Sequence, residues 1–120
     1  MTHSRARGEH WERMAEAFLH ARGLKTVARN FNCRLGEIDL IMEDGDCLVF
    51  TEIRYRKNAH FGSGAESVTK TKQNRIIRAA QRYLQFHAHR CLQPCRFDVL
   101  SLGREGGKLA VNWIQDAFTS

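Results

Sequence analysis

The sequence predicts an α/β fold: a mixed central sheet flanked by helices, in the order α-β-β-β-α-β-β. Three observations predict it. Two stretches carry apolar residues at helical spacing, five short runs are rich in strand formers, and Asp44-Gly45 stands between two of those runs as a hairpin signal. At 120 residues, 42% hydrophobic and 27% charged, the chain has the size and balance of one globular domain. Residues 1–7 read as a flexible basic tail and residues 8–120 as the single domain.

From Gly8 to Arg22, Trp11, Ala15, Phe18 and Leu19 recur on one helical face, with Met14 beside them and Gly23 as a stop. Leu24–Asn30 is the first strand, Glu37–Met42 the second and Leu48–Tyr55 the third. Asn58–Gly64 holds two glycines and reads as a loop. A long helix follows from about Glu66 to His87, with Val68, Ile76, Ala79, Ala80, Tyr83 and Leu84 as its apolar set. Pro94 precedes a strand over Arg96–Leu102, and Gly106-Gly107 turns the chain into a last strand, Leu109–Ile114.

A net charge of +6 and a pI of about 9.6 favour polyanionic partners, because each cation placed on a phosphate releases condensed counterions. No apolar run approaches a membrane span, and Met1-Thr2-His3-Ser4-Arg5 lacks the apolar core of a signal peptide. The expectation is a cytoplasmic protein with no membrane partner, whose Cys33, Cys47, Cys91 and Cys95 stay reduced.

The hairpin carries the chemistry. Alternation along a strand places Glu37, Asp39 and Ile41 on one face of the second strand, and Phe50, Glu52, Arg54 and Arg56 on one face of the third. With Asp44 and Gly45 as the turn residues, Asp39 faces Phe50 and Glu37 faces Glu52. Asp39 and Glu52 then become diagonal neighbours with Cβ atoms about 7–8 Å apart. Three carboxylates on one face repel each other, and a cation relieves that repulsion. An oxygen-only, incomplete cage of Asp39, Glu52 and Glu37 suits Mg²⁺ or Mn²⁺ completed by water and a substrate phosphate. The alternative is a solvated face on which these acids pair with Arg54 and Arg56.

Gly36-Glu37-Ile38-Asp39-Leu40-Ile41, followed by Val49-Phe50-Thr51-Glu52-Ile53-Arg54, resembles the YraN family of bacterial proteins. So do Phe61-Gly62, Lys72-Gln73, Cys95-Arg96-Phe97-Asp98 and Trp113-Ile114-Gln115-Asp116-Ala117-Phe118, and the likeness runs from Gly8 to Phe118. That family is similar to the PD-(D/E)XK nucleases and archaeal Holliday-junction resolvases. The resemblance implies a restriction-endonuclease-like fold, with Asp39 and Glu52 as metal ligands. It also implies a helix glutamate, matched best by Glu12 with Glu9 and Glu16 as neighbours. Arg54 stands where the nuclease pattern has Lys. An arginine stabilises an anionic transition state but is a poor general base, because it keeps its proton. Either Lys72 takes over that role, or the chain is a non-catalytic nucleic-acid-binding protein that keeps the fold.

On the long helix Arg75, Arg78 and Arg82 fall in line with Lys72, giving a basic stripe that suits a phosphate backbone, extended by Arg56 and Lys57. A solvated helix face is the alternative. The expected partner is DNA, branched DNA included, and a homodimer matches two symmetric cuts. An adaptor that binds only protein is the third reading. His87, His89, Cys91 and Cys95 are zinc-type residues, but their spacing fits no common zinc motif. Trp11 and Trp113 read as core or rim packing.

Overall fold

The computed structural model describes residues 2–56 and 68–120, with residues 2–7 described by their backbone alone. Its elements are α1 (Thr2–Ala21), β1 (Lys25–Cys33), β2 (Gly36–Asp44), β3 (Cys47–Arg56), α2 (Lys70–Phe86), a 3₁₀ turn (Ala88–Arg90), β4 (Cys95–Glu105) and β5 (Lys108–Phe118). The order is the expected one. The loop expected at Asn58–Gly64, together with Lys57, Phe61-Gly62 and Glu66, lies outside the described residues.

The five strands form one sheet in sequence order. β1–β2, β2–β3 and β4–β5 pair antiparallel, while β3 and β4 pair parallel. A parallel pair cannot be joined by a tight turn, and α2 belongs to the crossover that links them. Adjacent strand residues divide between two cores. Leu48, Phe50, Phe97 and Val99 pack with Ile76, Ala79, Ala80 and Tyr83 of α2. Met42, Val49, Leu100 and Leu102 pack with Ala15 and Leu19 of α1, joined by Trp11, Phe18 and Trp113 at the margin. The sheet is therefore covered by one helix on each face. Among the described residues no helix is long and apolar enough to cross a membrane.

Three expectations change. α1 starts at Thr2, so residues 2–7, expected as a loose tail, carry helical backbone; the stretch before Gly8 holds no proline or glycine to stop propagation. α2 starts at Lys70 rather than about Glu66. Thr69 is its N-cap, with extended backbone (φ −66°, ψ 159°) and a hydroxyl that accepts from the Lys72 N–H at 3.1 Å. The hairpin turn is Gly45-Asp46, not Asp44-Gly45: Asp44 pairs with Cys47, and Ile41 pairs with Phe50. Gly45 takes φ +62° at the first central position, where a II′ turn places glycine.

Two interlocked features finish the frame. Gly36 lets β2 run against α2, since a Cβ there would sit 2.5 Å from the Arg75 carbonyl oxygen. At the other side, fully buried Asp98 accepts from Arg96 Nε (3.0 and 3.2 Å), Trp113 Nε1 (3.0 Å) and the Asp116 N–H (2.9 Å). These bonds span the β4–β5 irregularity between Phe97 and Val99, where Asp116 adopts φ +52°.

Candidate functional site

The β2–β3 ladder closes at Leu40 opposite Thr51. Asp39 and Glu52 are the next residue on each strand, one step past the last pair of the ladder. The strict alternation expected along β2 does not hold there. Ile38 packs in the α2-side core and Leu40 in the α1-side core, although only one residue separates them. On the neighbouring strand Asn30 has φ +51°, and it lies between Arg29, which pairs with Leu40, and Phe31, which pairs with Ile38. The backbone turns over at Asn30 and Asp39 together, and the Asp39 carboxylate emerges where both faces can reach it.

Asp39 Oδ2 accepts the Ile53 N–H at 2.8 Å. Its carboxyl lies near enough to that of Glu52 for each to act on the other. Glu52 lies on the α2 face, only 5% exposed, with Arg54 Nη1 at 3.5 Å and Lys72 Nζ at 3.8 Å from Oε2. Burial, then the Asp39 charge, pushes the Glu52 carboxyl up to about 7. Burial also raises the Asp39 carboxyl above its ordinary value, against the Ile53 N–H that favours its charged form. Half-buried Asp39 and buried Glu52 thus both favour the neutral form, and a cation beside them would favour the charged one.

From the α1 side comes Glu12, half-buried, its carboxyl raised by burial and then by Asp39. The three candidate helix glutamates separate cleanly. Glu9 is exposed and pairs with Arg13 at 3.5 Å. Glu16 is held by the Thr26 hydroxyl and by Arg29 (Nε at 2.8 Å, Nη2 at 2.7 Å), and the Arg29 hydrogen bond lowers its carboxyl. Glu12, unlike Glu16, feels the Asp39 charge. Glu37 is exposed and acts on Asp39 and Glu12 through its charge.

Among the described residues, no group of three or more His, Cys, Asp or Glu is arranged to hold a metal ion. The predicted trio of Asp39, Glu52 and Glu37 thus reduces to the Asp39–Glu52 pair, because the turnover at Asp39 removes the common face that the trio required. His87 instead caps α2, its Nδ1 2.9 Å from the Tyr83 carbonyl oxygen.

Arg75, Arg78 and Arg82 are exposed along α2, beyond Lys72. Arg82 leans on Phe86 and donates to Gln85 at 3.1 Å, while Arg75 and Arg78 have no ion-pair partner among the described residues. Arg56, half-buried, ends β3. The structural role of Asp98 was absent from the sequence reading of the site, although Arg96 two residues before it and Trp113 both sit in the quoted motifs.

The chain matches the family described as "Uncharacterised protein family UPF0102" over residues 11–102, which contain Glu12, Asp39, Glu52, Arg54 and Lys72. A UPF0102 protein of Nitrosococcus oceani is 50% identical over 114 residues, covering 95% of this chain and 92% of the relative. One from Aeromonas hydrophila is 49% identical, covering 94% and 85%. One from Stutzerimonas stutzeri is 43% identical over the full length of both chains. The chain therefore belongs to UPF0102, the YraN family whose motifs it carries.

Proposed function

We propose that this protein is a divalent-metal-dependent nuclease of the PD-(D/E)XK class acting on DNA, branched DNA included. The observation that carries the reading is the closeness of half-buried Asp39 to buried Glu52 at the end of a β-hairpin, with Arg54 and Lys72 beside Glu52. A five-stranded mixed sheet with a helix on each face supports the restriction-endonuclease-like form of the fold.

The donor set fits Mg²⁺ or Mn²⁺. Such ions are held by one or two carboxylates and completed by water and substrate phosphate, so a pair of acids suffices where an all-protein cage would need more. Asp39 and Glu52 would hold the ion. When bound, it supplies positive charge to a phosphate and acidity to a bound water. Glu12, its carboxyl raised by burial and by Asp39, would serve as a proton acceptor. Arg54 and Lys72, both beside Glu52, are placed to meet phosphate oxygens, and Arg75, Arg78, Arg82 and Arg56 continue the positive surface along the backbone of the substrate. Because an arginine is a poor general base, Lys72 would serve as the lysine of this site, delivered from α2 instead of from β3. A homodimer follows if the substrate offers two symmetric cuts.

The second reading, a binder without turnover, is favoured by Arg54 at the lysine position. Incubation with Mg²⁺ or Mn²⁺ and linear, nicked, single-stranded and four-way DNA separates the two. Cutting that disappears in Asp39→Asn supports the nuclease. Salt-sensitive binding with no cutting of any substrate overturns it in favour of the binder.

A further inference from the structure

We infer that the cleft between α1 and β3 is a subsite for one unstacked nucleobase of the strand whose phosphates lie along α2. The inference rests on the nucleic-acid reading above and adds to it the part of the substrate that the α1 side receives.

The cleft measures about 240 Å³ and is lined by Gly8, Trp11, Glu12, Asp39, Ile53 and Tyr55. It is smaller than the roughly 300–1,000 Å³ of a site for a drug-sized ligand, which limits the occupant to one ring system. Trp11 and Tyr55 stack on each other, with centroids 4.1 Å apart and planes 26° from parallel. Tyr55 remains 44% exposed, an unusual position for a large aromatic ring beside a carboxyl pair. The Arg104 guanidinium lies 5.7 Å from the Trp11 ring centroid.

The charged part of the lining is acidic. Glu12 and Asp39 offer hydrogen-bond acceptors, and a phosphate beside them would be repelled. A flat heteroaromatic ring with N–H donors on its edge satisfies both parts of the lining: its face meets the aromatic pair and its edge meets the carboxyls. A nucleobase has that form. A base inside a duplex is stacked on both faces and cannot enter, so the occupant comes from a single strand or a branch point.

The carboxyl pair thus stands between two different surfaces: cationic on the α2 side for backbone and aromatic on the α1 side for a base. Trp11, expected as core or rim packing, does pack against the α1-side core, and it also lines this cleft.

The test compares binding of a short single-stranded oligodeoxynucleotide with an abasic oligomer of equal length and charge, by fluorescence anisotropy, for the full chain and for Tyr55→Ala and Tyr55→Phe. The expected preference for the base-bearing strand is about 5- to 100-fold, the range that stacking on aromatic rings supports. Tyr55→Phe keeps this preference. Tyr55→Ala loses most of it, with affinity for the abasic strand unchanged. Should Tyr55→Ala fail to fold, the unaltered protein still decides, because a 2-aminopurine base entering the cleft loses emission on stacking. Equal affinity for both strands, an undiminished preference in Tyr55→Ala, or unquenched 2-aminopurine on a bound strand overturns the subsite and leaves the nuclease reading standing. No binding of either strand also overturns the subsite, and the nuclease reading is then decided by the cleavage assay on duplex and four-way DNA.

Discussion

The Glu52 carboxyl makes the site costly to fold, and Glu52→Gln measures that cost. In the unfolded chain this carboxyl has its ordinary value of 4.5, and in the folded protein burial and Asp39 push it up to about 7. The folded state holds the proton more tightly, so this contribution to stability is fully present below about pH 4.5 and is lost as pH rises through about 7. The full loss is about 3 kcal/mol. Glutamine keeps the shape of the protonated acid and can still donate to Asp39, but it does not titrate. Without added metal and with a chelator present, the variant is predicted to gain stability over the unaltered protein, by about 2–3 kcal/mol more at pH 8 than at pH 5. Urea unfolding of both proteins at the two pH values, followed by far-ultraviolet circular dichroism, reads this directly. A stability difference that does not change with pH would refute the reasoning, since it would mean that the carboxyl is not held protonated against Asp39.

Three further outcomes follow from other parts of the fold. Asp98→Ala removes the acceptor of three donor groups inside the sheet; Arg96 keeps Asp44 at 3.0 Å, so the loss is about 3 kcal/mol, seen as a fall in urea midpoint, and no change would contradict the network. Gly36→Ala drives a methyl group to 2.5 Å from the Arg75 carbonyl oxygen and is predicted to destabilise by about 1–3 kcal/mol, with thermal unfolding as the check. Arg75→Glu with Arg78→Glu removes two exposed cations from α2; DNA affinity is predicted to fall and the slope of log affinity against log salt to flatten by about 2, whereas an unchanged slope would show that the strand runs elsewhere.

The element order was readable because helical and strand periodicities differ sharply, and each strand was found at its centre with its ends short. Strand ends gain definition from neighbours: β5 runs on to Phe118 because Phe97 pairs with it across a bulge that Asp98 organises, and that is tertiary information. The Asp44-Gly45 pair located the hairpin but did not say which of its residues opens the turn, so the register came out two residues away. Parity survived that shift along the paired stretch from Leu40 to Asp44, whereas at Asp39 the turnover and not alternation decides where the carboxylate sits. The turnover of the backbone at Asp39 was not readable from β2 alone. Its signal is Asn30 on the adjacent strand, a residue type that tolerates positive φ, and only pairing shows that Asn30 and Asp39 are neighbours. Glu12 could be named but not separated from Glu9 and Glu16, because the decisive facts are the Arg13 and Arg29 partners that occupy the other two.

The account turns on whether the Asp39 and Glu52 carboxyls together take up a divalent cation. Titration calorimetry with Mn²⁺ on the unaltered protein, Asp39→Asn and Glu52→Gln, repeated in buffers of different ionisation enthalpy, addresses it most directly. Binding near one ion per chain is predicted, with a heat that varies with the buffer because a proton leaves, and with affinity at least about tenfold weaker in both variants. Equal affinity in all three proteins, or no binding to the unaltered one, would contradict it.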